Sequence, residues 1–380
     1  MKLVFLSNFF NYHQAALCDA LWEATEGKFR FVQTQPMPQE RRQLGFQNLQ
    51  RPYVLDLEKD SEAIFLALEE AEAVIAGETP QWLVRRRIRT GKLLLRYCER
   101  PLRNGPEPLK YLPRWLRWHR WNPMGRPIYM LCASAYTAGD YARFGLFRDR
   151  CFRWGYFPEA KTYDRQRLFS RKDPARILWC GRFLDCKHPQ QALTAAARLR
   201  QEGFQFTLTF IGGGPEENRL RQMVCRLRLE DCARFLGVLD QEQVRGQMEK
   251  AGIYLFTSDH REGWGAVLNE AMNSGCAVIA SHAVGAAAFL LRHGENGLVY
   301  PSGNPQRLYE NLKYLLLHPQ EQRRLGEEAY ETIHSCWNGE EAARRLLILV
   351  EALLRGENGR GLFADGPCSA AEEIGEDWFR

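Results

Sequence analysis

Twice along the chain an apolar run feeds a short polar loop and then a segment with helical periodicity. The first instance is KLVFLSNFFN followed by YHQAALCDALWEA, and the second is ARILWCGRFLD followed by HPQQALTAAARLRQEG. A strand, a loop and a helix in that order open a doubly wound α/β unit. Two such openings call for two units in tandem. The runs AEAVIAGE, GKLLLRYCE and PIYMLC add strands to the first half, and FQFTLTFI, AGIYLF, CAVIAS and NGLVY add them to the second. These runs are nearly continuous in apolar residues rather than alternating, as expected for parallel strands covered on both faces. The fold class expected is therefore α/β, with two Rossmann-like doubly wound parallel-sheet domains.

The first domain is expected over 1–160 and the second over 172–338. A polar, proline-bearing stretch at about 155–175 reads as the linker. A helix over 339–355 is expected to pack back towards the first domain. The glycine-rich, acidic tail 356–380 reads as poorly ordered. With 45% hydrophobic and 26% charged residues, the chain has an ordinary globular composition. No apolar run is long enough to cross a bilayer, and the N-terminus lacks the apolar core of a secretory signal. The 11 cysteines are scattered without zinc or redox spacing, which favours reduced thiols, a cytoplasmic setting and no structural metal.

Three loops follow strands of the second half. CGRFLDCK offers Gly181, Arg182 and Lys187. IGGGPEE offers Gly212, Gly213 and Gly214. HREGWGAVLNE offers Glu262, Gly263, Trp264, Gly265, Ala266 and Val267, with Glu270 eight positions after Glu262. Ligands of open parallel sheets bind beyond the carboxyl ends of the strands. Two cations, a glycine turn and the start of a helix suit a phosphate there. The carboxylates suit hydroxyl groups, as on a ribose or a sugar. Each feature also has a plainer reading: a simple turn, solvated loop charges, a chance spacing. Their strand–loop–helix order is what joins them.

Over 177–299 these motifs resemble the nucleotide-binding domain of GT-B glycosyltransferases, specifically glycosyltransferase family 4. The resemblance rests on Gly181–Arg182, Lys187, the two glutamates separated by seven residues, Ala271–Met272, Gly275 and the run HGENGLVYPSGNPQRL. It implies two domains facing across a cleft and a retaining, metal-independent sugar transfer from a nucleotide-sugar to an acceptor hydroxyl. No cofactor is implied beyond the donor itself. In the family pattern Glu270 would bind the donor ribose, Glu262 would face the donor sugar, and Arg182 and Lys187 would contact the diphosphate. Gly181, Gly212, Gly213 and residues 263–267 would complete the donor site. The family's loop after the signature carries two glycines and an acid. Here it is AVGAAAFLL, with Gly285 alone retained. A non-catalytic nucleotide-binding or scaffold protein on the same fold is the alternative reading.

The first half resembles the family only loosely. Asn11, His13, Glu99 and Arg100 are its candidates for contacting the acceptor or a phosphate. The formal charge of +6 is unevenly spread: between Gln81 and Met130 only Glu99 and Glu107 oppose a run of arginines and lysines. Within it, from Lys110 to Arg126, Trp115, Trp118 and Trp121 alternate with Arg114, Arg117 and Arg120. A core helix is one reading. An anionic membrane surface, useful for a lipid-linked acceptor and placing the protein peripherally on the inner face of the plasma membrane, is the other. No nucleic-acid-binding motif accompanies the charge. The expected partners are a nucleotide-sugar and a sugar or lipid-linked acceptor.

Overall fold

The computed structural model describes residues 1–39, 49–105 and 107–379. The chain divides into two compact units, one of Met1–Glu159 with Cys336–Gly375, the other of Ala160–Ser335 with Glu376–Arg380.

Among the described residues the first unit holds a seven-stranded sheet. Its strands are β1 (Leu3–Ser7), β2 (Phe29–Gln33), β3 (Val54–Asp56), β4 (Ala73–Ala76), β5 (Leu93–Cys98), β6 (Ile128–Cys132) and β7 (Cys151–Arg153), in the order β3-β2-β1-β4-β5-β6-β7. Every named pair is parallel. β1 and β4 are buried throughout, which explains their uninterrupted apolar sequence. The helix Tyr12–Ala24 packs against the helix Gly339–Leu354. Their contact is close because Gly339 has no side chain: a Cβ there would lie 2.7 Å from the Leu17 nitrogen. Part of the basic excess is structural. Arg87 is fully buried and donates to the carbonyls of Leu68, Ala71, Glu72 and Leu93, and burial lowers its guanidinium to about 10.

The tail differs from expectation. Over 356–375 it packs on the first unit, with Cys368, Ser369 and Ala371 buried. It runs antiparallel along β7: Cys368 N donates to Arg153 O at 2.8 Å and Arg153 N to Ser369 O at 2.8 Å. An edge strand offers unpaired backbone groups, and a polar, glycine-rich segment can satisfy them without a pattern of its own. Residues 376–379 lie on the second unit, where the Glu376 carbonyl meets His282 Nε2 at 2.7 Å. The stretch read as a linker is also more ordered than its composition suggests. It holds the short helix Arg165–Ser170, capped by Asp164, and the next strand begins at Asp173.

The second unit has a six-stranded parallel sheet. Its strands are β8 (Asp173–Cys180), β9 (Thr207–Ile211), β10 (Ala233–Phe235), β11 (Ala251–Phe256), β12 (Ala277–Ser281) and β13 (Leu298–Tyr300), in the order β10-β9-β8-β11-β12-β13. Its core packs Ile177, Trp179, Phe210, Ile253, Leu255 and Ile279 with apolar residues of the flanking helices. The strand order reverses between β8 and β11, where Leu178 pairs with Tyr254 and Trp179 with Leu255. The loops leaving β8 and β11 therefore emerge side by side at the switch point, the place where such sheets hold ligands.

Candidate nucleotide-sugar site

The loop after β8 carries Gly181, Arg182 and Lys187, the last on a single 3-10 turn, Asp185–Lys187. The loop after β11 carries Ser258, Asp259, Arg261 and Glu262 before the helix Val267–Asn273. The structure brings Lys187 and Glu262 together: Lys187 Nζ donates to Glu262 Oε2, and Ser258 Oγ donates to the same oxygen at 2.9 Å. Both side chains are only 15% exposed, so the pair is held in a partly dry setting where charge interactions are strong. Arg182 is exposed on the same loop.

A second set of charges clips the two loops to each other. His188 Nε2 meets Asp259 Oδ2 at 3.0 Å, and Arg261 Nη2 reaches both Asp259 and Asp185. Asp259 N donates to Cys186 O at 2.9 Å. Burial alone would raise the Asp259 carboxyl, but the hydrogen bonds from Arg261 outweigh it and hold the group below its ordinary range. The clip fixes the spacing between Lys187 and Glu262 before any ligand arrives.

Glu270 is in a different environment. It is buried near the start of its helix, hydrogen-bonded by the Gln241 side chain and close to Arg245. Burial pushes its carboxyl up, against the pull of Arg245. Arg245 is itself buried and donates to Asn273 Oδ1 at 2.8 Å and to the Glu270 carbonyl at 3.3 Å. Gln241 and Arg245 went unremarked in the sequence. The only signal is their i, i+4 spacing on the helix Gln241–Lys250, which is shared by many solvent-facing pairs.

The glycines have structural reasons. Gly212 has φ +128°, and a Cβ there would sit 2.0 Å from the Gly181 carbonyl oxygen. Gly214 also packs on backbone: a Cβ there would sit 2.7 Å from the Phe183 carbonyl oxygen. The glycine turn is thus pressed backbone to backbone against the loop that carries Lys187, whereas Gly213 has room for a side chain. Gly265, at φ +85°, makes way for the Phe256 ring. Gly263 is buried, Ala266 precedes the helix, and Val267 begins it half-buried.

Three of the expected side chains are engaged by the protein itself. The Trp264 side chain turns into the core, with Nε1 donating to Asn269 Oδ1 at 2.9 Å, so only its backbone remains available to a donor. Asn11 is a helix cap: its side chain accepts from His13 N at 3.0 Å and is buried. Arg100 is buried against Asp140 at 3.2 Å and lies over the Tyr136 ring, which withdraws it from a ligand role. His13 and Glu99 do come near each other, through a residue the sequence did not single out. The His13 ring stacks on Tyr156 at 5.7 Å, and Tyr156 OH donates to Glu99 Oε1 at 2.7 Å.

Residues 160–332 match the family model described as glycosyl transferases group 1. A curated relative, the amylovoran biosynthesis glycosyltransferase AmsK of Erwinia amylovora, is 33% identical over 140 residues, 36% of this chain and 34% of that protein. The N-acetyl-alpha-D-glucosaminyl L-malate synthase of Bacillus anthracis is 26% identical over 206 residues, 54% of this chain and 53% of that protein. The chain spans less than two thirds of the length of each of these relatives. Among solved structures, HepE of Anabaena in complex with UDP superposes with a TM-score of 0.68 at 16% identity, over 93% of this chain and 100% of that one. A glycosyltransferase of Rickettsia africae gives 0.67 at 12% identity, over 93% and 99%. The fold is therefore that of the GT-B glycosyltransferases. Within it, residues 160–332 are similar to the group 1 glycosyl transferases.

Proposed function

We propose that this protein is a retaining glycosyltransferase of glycan biosynthesis, moving a sugar from a nucleotide-sugar to an acceptor hydroxyl. The observation that carries the reading is the Lys187–Glu262–Ser258 cluster with Glu270 behind it, at the β8/β11 switch point of a domain similar to the group 1 glycosyl transferases. Solved relatives of the same fold hold UDP, or UDP-glucose, which makes a nucleoside diphosphate the natural leaving group to test.

In this reading the diphosphate lies against Lys187 and Arg182. As the glycosidic bond breaks, negative charge builds on the leaving phosphate, and fixed cations stabilise it. They take the place of a metal ion, so transfer should survive chelation. Lys187 already has Glu262 as its partner, so the incoming diphosphate exchanges with that carboxylate. Glu262 is then released to face the donor sugar. Glu270, buried beside Arg245, accepts the paired hydroxyls of a ribose. The acceptor belongs to the first unit, where His13, Tyr156 and Glu99 offer ring faces and a carboxylate to a sugar. With a lipid-linked acceptor the enzyme would work on the cytoplasmic face of a membrane, and residues 110–126 have the charge for that.

The apolar segment 283–291, which holds the short helix Ala287–Leu290 and lacks the acid of the family pattern, favours a second reading as a nucleotide-binding protein without turnover. Glu270→Ala and Lys187→Ala separate the two. Both variants should fold and lose release of nucleoside diphosphate from the donor. Near-normal turnover in either would overturn the site assignment, and binding without turnover in the unaltered chain would favour the second reading.

A further inference from the structure

The tryptophans of the basic segment do not lie together. Trp118 is buried, with its ring 4.9 Å from Tyr141 and 4.6 Å from Phe144. Tyr111 stacks on Phe144 at 4.8 Å on the same side of the helix Tyr111–Trp121. This inward face attaches the helix to the first unit. A neighbouring face is apolar and open: Leu112 is 63% exposed, Leu116 57% and Trp115 37%. These positions, at i, i+3 and i+4, form one stripe. Leu109, 96% exposed on the preceding turn Pro108–Lys110, extends it. The other exposed large apolar side chains among the described residues are spread along the chain, and scattered ones need no explanation.

Charge borders the stripe. Arg120 is exposed and, at about 100° per residue, falls beside Leu116, whereas Arg117, also exposed, lies further round the helix. Lys110 is exposed at its start. From 103 to 126 the sequence has one carboxylate, Glu107, which pairs with Lys110 at 2.9 Å and Arg114 at 3.3 Å. Arg117 stacks over the Trp121 ring at 5.2 Å. No helix among the described residues is long and apolar enough to cross a membrane, so an apolar stripe edged by cations has the pattern of a helix lying in an interface.

We infer that this face docks on an anionic phospholipid membrane, with Leu109, Leu112, Trp115 and Leu116 entering the interface and Lys110 and Arg120 meeting headgroup phosphates. A second copy of the chain is a poorer occupant, because two-fold pairing would bring the two arginine sets near each other. A nucleic acid would meet the arginines and leave the leucines in water. The inference deepens the membrane part of the proposed function and rests on it for its purpose. Docking itself needs no sugar transfer, so the two fail separately.

The test is flotation of the full chain with vesicles of phosphatidylcholine, alone or with one third phosphatidylglycerol. The chain should float with the anionic vesicles only, and added salt should weaken it. A cation near such a surface contributes about fivefold, so Arg120→Gln should lower partitioning about fivefold and Arg117→Gln, further round the helix, should lower it less. Leu112→Ser with Leu116→Ser should abolish flotation. All four positions are exposed, so melting temperature and turnover on a soluble acceptor should stay unchanged. Absence of flotation, or flotation indifferent to phosphatidylglycerol, overturns the inference. So does a lipid-free, concentration-dependent dimer that the leucine substitutions abolish, which would assign the face to a second copy.

Discussion

Replacing Glu262 by glutamine should make the protein bind nucleoside diphosphate more tightly while it stops transferring sugar. The reasoning starts from the Lys187–Glu262 pair, 15% exposed on each side and supported by Ser258. A hydrogen bond to a charged group contributes about 1.5–3 kcal/mol net. The remaining exposure allows some screening, so about 1–2 kcal/mol is a fair value for this pair. If the diphosphate takes the place of Glu262 on Lys187, the unaltered protein must give up that interaction on binding. In Glu262→Gln the side chain keeps its shape but loses its charge, and most of the cost disappears. At 1.4 kcal/mol per tenfold, affinity should rise by about 5- to 30-fold. Lys187→Met should do the opposite, weakening binding about tenfold or more as the charged contact is lost. In the Lys187→Met background, adding Glu262→Gln should have little further effect on affinity. Isothermal titration at fixed ionic strength, across a panel of nucleoside diphosphates, gives all four values of the cycle. Unchanged or weaker binding by Glu262→Gln would refute the exchange, and with it the idea that Lys187 serves the diphosphate.

Three further outcomes follow from the same geometry. Gly212→Ala puts a Cβ 2.0 Å from a backbone oxygen at φ +128°, and should cost about 3 kcal/mol or more in chemical denaturation. Gly213→Ala, whose nearest neighbour is 3.4 Å away, should cost less than about 1 kcal/mol. Glu270→Gln should stabilise the unliganded protein at neutral pH and abolish donor binding. Burial raises the folded Glu270 above its ordinary 4.5, so the native state holds this proton more tightly than the unfolded chain. Stability therefore falls as pH rises from 4.5 through the folded value, and melting temperature against pH should lose that component in the variant. Arg100→Met leaves the buried Asp140 without its countercharge and should cost about 3–5 kcal/mol, much of it recovered by adding Asp140→Asn, which still accepts from Leu102 N.

Much of the fold was legible because parallel strands buried on both faces leave continuous apolar runs, as in β1, β4, β11 and β12. What escaped notice lacks that mark. β2, FRFVQ, is interrupted by Arg30, and β7 is three residues long at a sheet edge. The pairing of the tail with β7 is a tertiary event between segments more than 200 residues apart, and nothing local announces it. In the candidate site, spacing drew attention to Lys187 and Glu262 in the loops after β8 and β11 and to Glu270 on the helix that follows. It could not say which way a side chain points. Trp264 looked available and turns inward. Arg100 looked like a phosphate ligand and neutralises Asp140, forty residues away. Asn11 sits where helix caps sit, and the capping role was readable from its position before YHQAAL. The loop clip of His188, Asp259, Arg261 and Asp185 was invisible because its members lie about 70 residues apart and pair only after β8 and β11 align.

The most direct test follows the anomeric carbon. The purified protein is incubated with α-linked nucleotide-sugars and a panel of sugar and lipid-linked acceptors, with chelator present, and the product is read by NMR as it forms. Release of nucleoside diphosphate together with an α-linked product that survives chelation is the predicted result. A β-linked product, a requirement for divalent metal, or nucleotide binding with no bond broken in any donor would contradict a retaining, metal-independent transferase.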